Sequence, residues 1–315
     1  MKKFSAESLG PTSLPKVAVI SVSYNDESRL PKFLESLQQM TYPNWEFILV
    51  DNNSRDNFMA VVKSVLPKAH IIKNKRNNGL PTGYNQGARL ALELGADFIF
   101  LLEINASAIS PNCLEKFIEA FENSSGVAMV GPAVLDSRFS DKVSNFGIEY
   151  DVRQGTGGGC FQNAHLADLP ATFNAQFVGC GTCFLKLDLY LDVGGIDEEL
   201  FLYGEEIDLG MKFRLMGYGA MEISSVQVTS RHHEIRGRHL AWPYEIFYST
   251  RNTIYLIRKY GRVGDWQRFS ARLVLSLPRR TLFFLRRGLI QQTVALWLGL
   301  IYGVLNRMGK RLFVE

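Results

Sequence analysis

Three carboxylates fall within four residues at Glu205-Glu206-Ile207-Asp208, directly after the apolar stretch Leu200-Phe201-Leu202-Tyr203. Like charges held so close repel one another. A fold that gathers them does so to hold a cation, to bind a substrate or to raise a pKa; an acidic first helical turn, favoured by the backbone dipole, is the plain alternative. Lys212 stands one turn beyond Asp208 and can pair with it. Further along, His232-His233 offers imidazoles to a metal or diphosphate site, or is a structural pair in a loop. Glu103 and Asn105 set two more oxygen-bearing side chains two residues apart, and hard oxygens suit Mg²⁺ or Mn²⁺, the amide being the weaker ligand.

These groups need elements to hold them. Val17–Tyr24 is a β-rich apolar run suited to a buried parallel strand. Leu30, Phe33, Leu34 and Leu37 then follow the spacing of an amphipathic helix. Trp45–Val50 reads as a second strand, 61–65 as a helix, His70–Lys73 as a short strand, 83–94 as a helix and Asp97–Leu102 as a fourth strand. Strands and helices in alternation predict an α/β fold, a mostly parallel sheet flanked by helices, whose ligands sit at the carboxyl ends of the strands. Those ends carry Asn25, Asp51 and Glu103. Between them, Asn78-Gly79, Gly83, Asn85 and Gly87 form a small-residue segment where backbone can approach a ligand and a helix start favours an anion. No GxxxxGK and no GxGxxG follows the first strand, which disfavours P-loop nucleotidases and dinucleotide oxidoreductases.

Regularity fails after Val130, and Gly155-Thr-Gly-Gly-Gly159 marks a turn-rich insertion. Order returns at 177–185, continues in a helix from about Asp208 to Met216 and a strand near Val226–Val228, and the chain reads as helical from Trp242 onward. Cys180-Gly-Thr-Cys183 has no second pair to complete a zinc site and reads as two buried small residues. The net charge of +4 conceals an uneven distribution: from Ser230 onward there are 16 Lys/Arg against four Asp/Glu. At 272–287 the arginines interleave with Leu and Phe, which suits an interfacial amphipathic surface better than a nucleic-acid tail. The apolar stretch 294–305 is shorter than the roughly 18–20 residues of a membrane span, and Met1-Lys2-Lys3 leads into no apolar run. The expectation is a cytoplasmic protein, peripheral on the inner face of the plasma membrane, with a loose arm over 1–15, a catalytic domain over 16–240 (halves about 16–132 and 133–240) and a helical basic region over 241–315.

In order and spacing, these segments resemble the family-2 glycosyltransferases of the GT-A fold, and in particular the rhamnosyltransferase-like branch that builds bacterial surface polysaccharides. The resemblance runs from Val17 to about Lys310. Val19-Ile-Ser-Val-Ser-Tyr-Asn25 resembles the opening strand, Ile48-Leu-Val-Asp51-Asn-Asn-Ser54 the "VDN-S" turn, and Asn78-Gly79 with Gly83-Tyr-Asn85-Gln-Gly87 the N-G…G-N-G loop. Gly194-Gly-Ile-Asp197-Glu198, then Glu205-Glu206-Ile-Asp208-Leu209, is similar to "GGFDE" followed by "ED-DL". Arg251-Asn252 resembles the later "RN" element, and Trp297 through Gly303 the small-residue terminal helix. Two positions depart from the pattern: Glu103-Ile-Asn105 stands where the family has an Asp-rich metal motif, and Glu206 where it has Asp.

The resemblance implies inverting transfer from a nucleotide-diphosphate sugar, with rhamnose suggested by analogy, to a hydroxyl of a glycan or polyprenyl-linked acceptor. Glu206 would be the general base, with Glu205 and Asp208 beside it. Donor contacts would come from Ser23, Tyr24, Asn25, Asp51, Asn53, Asn78, Gly79, Asn85 and Glu103. Acceptor contacts would come from Gly181, Asp197, Glu198 and Arg251. A divalent cation, Mg²⁺ or Mn²⁺, would be held by Glu103, Asn105 and His232. The basic C-terminal region would dock on anionic lipid, nucleic acid is not expected as a partner, and association into an oligomer is left open. The alternative is a non-catalytic glycan- or nucleotide-sugar-binding protein that has lost the metal motif.

Overall fold

A computed structural model describes residues 14–55, 58–139, 141–151, 155–231 and 241–313. The expected strands and helices open the chain: β1 (Val17–Ser23), α1 (Leu30–Gln38), β2 (Trp45–Asp51), α2 (Phe58–Val65), β3 (His70–Lys73), α3 (Leu80–Glu93) and β4 (Phe98–Leu102). They build a parallel block in the order β3-β2-β1-β4, with Ser23 level with Asp51 and Ile20 with Leu101. Alternate residues of β1 face opposite layers. Val17 and Val19 pack under α1 and α2 with Phe33, Leu34 and Phe58, whereas Ala18 and Ile20 pack under α3 with Tyr84 and Ala88.

Beyond β4 the parallel alternation gives way to a mixed arrangement. β5 (Ala106–Ile109) and α4 (Cys113–Glu122) lead into β6 (Val127–Asp136), a buried strand of ten residues where the sequence pattern had suggested loss of order after Val130. It was hidden because β6 is buried on both faces and Gly131-Pro132 interrupts it. β7 (Val143–Asn145) pairs with β6, β8 (Ile148–Asp151) and β9 (Thr156–Gly159) form a separate hairpin, and β10 (Thr172–Ala175) lies at the sheet edge. β11 (Thr182–Lys186) inserts antiparallel between β4 and β6. α5 (Leu187–Asp192) and α6 (Glu205–Leu215) precede β12 (Gly219–Ser230), which runs parallel to β6. One ten-stranded sheet therefore takes strands from both halves of the expected catalytic domain.

Three helices finish the described chain: α7 (Pro243–Tyr260), α8 (Val263–Arg286) and α9 (Ile290–Val304). α7 and α9 meet at glycines, since a Cβ on Gly299 or Gly303 would press on the backbone of Phe247 or on Ile254. No helix among the described residues is long and apolar enough to cross a membrane.

Cys180 and Cys183 are buried, and loss of water raises both thiols well above their ordinary range, in keeping with small core residues. Nearby, Glu222 of β12 is 1% exposed with Oε2 unpartnered. Burial pushes its carboxyl up to about 8, against the backbone N–H of Gly147 that favours the charged form. The folded state thus keeps a proton that the unfolded chain releases near its ordinary value. This contribution to stability is complete at acid pH, below the unfolded pKa, and is lost as pH rises through about 8. Glu222→Gln is expected to flatten that fall, and at pH 9 to exceed the wild type by up to about 5 kcal/mol, since a carboxyl carried from 4.5 to about 8 is worth about 1.4 kcal/mol per pH unit. Urea melts of both proteins at pH 5 and pH 9 check this, and parallel pH slopes would refute it.

Candidate active site

The carboxyl ends of β1 and β2 open onto a cleft of about 510 Å³. Its walls come from Ser23, Tyr24 and Asn25 after β1, Asn52 after β2, Asn77 and Gly79 before α3, and Phe201, Tyr244 and Phe313 from later in the chain. Asn25 sits in the left-handed region (φ 58°), which asparagine tolerates better than most residues. It accepts a hydrogen bond from the Arg55 N–H, while its own N–H donates to Ser54 Oγ. Asp51 is buried behind the cleft; Oδ1 accepts from the Ser54 N–H, and Oδ2 has no hydrogen-bond partner. Asn53 is exposed at φ 69°, and Asn78 accepts from the Arg76 Nε–H. Gly79 (φ 88°) is the N-cap of α3, and a Cβ there would collide with Phe201.

α3 begins at Leu80, so Gly83, Asn85 and Gly87 belong to a helix and not to the ligand-approaching loop that their spacing suggested. Gly83 and Gly87 let α3 lie flush on Val22 and Ile20 of β1. Asn85, expected to contact the donor, directs its amide to the protein instead: Nδ2 donates to the Ile196 carbonyl and Glu198, and Oδ1 accepts from the Tyr190 hydroxyl and the Ile196 N–H. All four hydrogen-bonding positions of its side chain are filled, which makes it a clamp between α3 and the 195–198 loop.

The acids gather where β1, β4 and α6 converge. Glu205 and Glu206 form the first turn of α6, after Gly204 (φ 96°). Glu205 is buried and accepts from the Tyr203 N–H at 2.7 Å; burial and the neighbouring Glu206 raise its carboxyl. Burial also raises Glu206, which lines a second cavity. Glu103 is raised by burial and then by Glu206 and Asp26, with a hydrogen bond from Asn105 opposing. Asp26, adjacent to Asn25, accepts from the Tyr24 N–H and pairs with Arg29. Gly181 makes room for Glu103, because a Cβ there would come within 2.5 Å of its carboxyl. Asn105 keeps Oδ1 buried and without a partner. The described residues contain no cage of three or more His, Cys, Asp or Glu side chains for a metal, and His232 lies outside the described residues.

Glu206 faces a cavity of about 340 Å³ between the β8–β9 hairpin and α7, walled by Asn145, Tyr150, Gly157–Gly159, Tyr203 and Asn252 among others. Sequence reasoning passed over Asp26, Arg29, Tyr150 and Asn252 as site residues. The triple glycine of the insertion was the available signal for this wall, and Asp26 stood beside a residue already singled out.

Three expected site residues are engaged by partners within the protein. Asp208, expected beside the base, is fully buried: Oδ1 accepts from Lys259 Nζ and the Tyr260 hydroxyl, and Oδ2 from the Asp197 N–H, with Lys212 Nζ 3.1 Å away. It fastens α6 to α7 and has no face left for a substrate. Asp197 accepts from Tyr255 and Lys259; burial opposes its ionisation, but those hydrogen bonds prevail and hold it below the usual carboxylate range. Glu198 pairs with Arg89 and accepts from Thr82 and Asn85, at the surface.

Arg251 was expected to reach the acceptor. It is fully buried and donates to the carbonyls of Glu199, Leu200 and Gly309 and to Asn252 Oδ1, stacked 4.7 Å over Tyr248. Desolvation brings its guanidinium down to about 10. Asn252 continues the same task, donating to the carbonyls of Leu200, Leu202 and Tyr203. The turn they hold is unusual: Phe201 and Tyr203, both non-glycine, have φ of 61° and 71°. Such residues cost about 1–3 kcal/mol each and persist where surroundings over-determine them. The "RN" pair supplies that restraint, and the restrained turn delivers Glu205 and Glu206.

Residues 18–154 match the family model described as Glycosyl transferase family 2. The dTDP-rhamnosyl transferase RfbF of Shigella flexneri is 25% identical over 252 residues, 77% of this chain and 80% of RfbF. The N-acetylglucosaminyl-diphospho-decaprenol L-rhamnosyltransferase of Mycobacterium tuberculosis is 23% identical over 86% of this chain and 93% of its own. The putative glycosyltransferase EpsE of Bacillus subtilis is 30% identical over 131 residues, 38% of this chain, and the chain spans only 44% of its length. An uncharacterized glycosyltransferase of Haemophilus influenzae is spanned to 37%. In fold, the chain resembles the mannosyltransferase PcManGT of Pyrobaculum calidifontis, solved with GDP-Man and Mn²⁺ (TM-score 0.56, 13% identity, 97% of this chain and 92% of that one). It also resembles S. aureus TarS 1-349 (TM-score 0.56, 17% identity, 93% and 82%). The fold is that of the GT-A glycosyltransferases. Residues 18–154 thus carry the match to glycosyl transferase family 2, and the relatives that align along most of the chain bear rhamnosyltransferase names.

Proposed function

We propose that the chain is an inverting glycosyltransferase that moves a sugar, rhamnose in our reading, from a nucleotide diphosphate to a hydroxyl of a glycan or lipid-linked acceptor in bacterial surface polysaccharide synthesis. The observation that carries this is the placement of Glu206, half-buried beside Glu205 and Glu103 and lining a cavity of its own next to the nucleotide-sized cleft. The donor's nucleoside would lie in the cleft at the ends of β1 and β2, where the unpartnered Asp51 Oδ2 and Asn25 offer acceptors. The acceptor would enter the cavity between β8–β9 and α7. Its hydroxyl oxygen bonds to the anomeric carbon as the bond from that carbon to the diphosphate oxygen breaks. The nucleoside diphosphate leaves with the electron pair, and the hydroxyl proton passes to Glu206. A carboxylate raised by burial is a better proton acceptor at neutral pH than one in water.

The donor set fits a hard divalent cation: Glu103 supplies a carboxylate and Asn105 an unpartnered carbonyl oxygen. Mg²⁺ typically takes one or two protein carboxylates together with substrate phosphates. Glu103 and Asn105 would hold Mg²⁺ or Mn²⁺, which when bound offsets charge on the leaving diphosphate. Two relatives bearing rhamnosyltransferase names support the sugar, and one named for a decaprenol-diphosphate substrate supports the lipid-linked acceptor. We read the basic C-terminal helices as peripheral to the inner face of the membrane, with the catalytic domain in the cytoplasm.

The test is transfer from a panel of nucleotide sugars to prenyl-diphosphate glycosides, with and without Mn²⁺, and determination of the product's anomeric configuration. Retention of the donor's configuration would overturn the inverting mechanism, and failure with every donor would overturn the enzymatic reading.

A further inference from the structure

A third cavity, of about 330 Å³, lies against the one that holds Glu206, and the two share Ser249 and Thr253 of α7 as a common wall. Its far wall is one face of α8: Phe269, Leu273, Ser276 and Arg280 recur at spacings of three and four residues, and Arg272 joins them. The lining therefore sets the hydroxyls of α7 against an α8 wall that carries both apolar side chains and guanidinium groups. Arg280 is exposed at the open edge of the cavity and forms no ion pair among the described residues, and no carboxylate is among the residues that line the cavity. A guanidinium there, with no carboxylate in the lining to compete for it, can take a phosphate oxygen through charge-assisted hydrogen bonds. Farther along α8, Arg279, Leu282, Phe283, Arg286 and Arg287 surround another cavity, and Leu275, Leu282 and Leu285 are exposed. From Glu206 outward the order is thus sugar-sized cavity, cationic cavity, exposed apolar and basic helix.

We propose that the α7–α8 cavity is the subsite for the phosphoryl group that joins the acceptor's sugar to its lipid, with Arg280 as the principal anion ligand and Arg272 beside it. The inference deepens the acceptor reading above and rests on it. The acceptor's sugar fills the Glu206 cavity, its diphosphate lies against Arg280, and its prenyl chain leaves along the exposed apolar side of α8. A plain glycan would leave this cavity without an anion, so recognition of the phosphate separates lipid-linked acceptors from free saccharides.

The experiment compares wild type with Arg280→Gln on two acceptors carrying the same sugar, one a prenyl diphosphate and the other a phosphate-free alkyl glycoside. One charged hydrogen-bonding partner is worth roughly 1.5–3 kcal/mol, or about 10- to 100-fold. The ratio of kcat/KM for the diphosphate over the alkyl acceptor should fall by that factor; an unchanged ratio overturns the proposal. Binding of geranyl diphosphate in the absence of donor, read by calorimetry, needs no turnover. Affinity about 10-fold weaker in the variant supports the subsite even if transfer is never observed, and equal affinity refutes it. Phosphatidylglycerol vesicles form the third arm. If Arg280→Gln weakens vesicle binding and leaves both other readings unchanged, the cavity serves a bilayer headgroup, and the acceptor subsite is wrong.

Discussion

Glu206→Gln is expected to lower kcat by about 10²- to 10⁴-fold, the usual contribution of a positioned general base, with little change in affinity for the nucleotide sugar. The amide keeps the size and hydrogen-bonding reach of the carboxylate but cannot accept the acceptor's proton. Because Glu206 lines the cavity proposed for the acceptor while the cleft proposed for the donor is walled by residues after β1 and β2 and by Phe201, the loss should appear in turnover and leave donor binding in place. Steady-state kinetics paired with calorimetric titration of the nucleotide sugar separates the two. Full turnover by the variant would remove Glu206 as the base. Glu205 is the contrasting case: it is buried and holds the Tyr203 N–H, so its replacement should disturb the turn as well as the chemistry.

The second large effect is on stability. Arg251→Ala should cost on the order of 3–5 kcal/mol, because it opens a large cavity and strips hydrogen bonds from the carbonyls of Leu200 and Gly309 at once. Against a total stability of roughly 5–15 kcal/mol, that brings the fold near its limit. Arg251→Lys should recover only part, since a single ammonium cannot reproduce a planar fork that serves several carbonyls. Urea denaturation measures both. A cost below about 1 kcal/mol for the alanine variant would show that the 199–203 carbonyls are satisfied without this side chain.

What the sequence disclosed follows from how locally each feature is encoded. The β1 to β4 block was legible because apolar runs of strand length alternate with helical spacing, and because parallel strands buried on both faces leave an unmistakable run of Val, Ile and Leu. β6 escaped because Gly131-Pro132 breaks the run and its partners lie far along the chain, at β11 and β12. The acidic cluster was visible as composition, and its position on the first turn of α6 agrees with a helix start. Composition could not say which acid is paired. Asp208 and Glu206 look alike in one dimension, yet Lys259 and Tyr260, some fifty residues later, claim the first and leave the second facing a cavity. Arg251 likewise resembles a substrate-binding arginine until the carbonyls that surround it are known.

The strained turn from Phe201 to Gly204 has one side in each chamber: Phe201 and Leu202 wall the nucleotide-sized cleft, and Tyr203 and Gly204 wall the cavity of Glu206. Any free energy that a ligand in one chamber exchanges with the shape of this turn must reappear, in equal measure, in the affinity of the other. If the two chambers take donor and acceptor as proposed, the two are linked through four residues of backbone, and the sequence in which they bind becomes a property of that backbone as much as of either pocket.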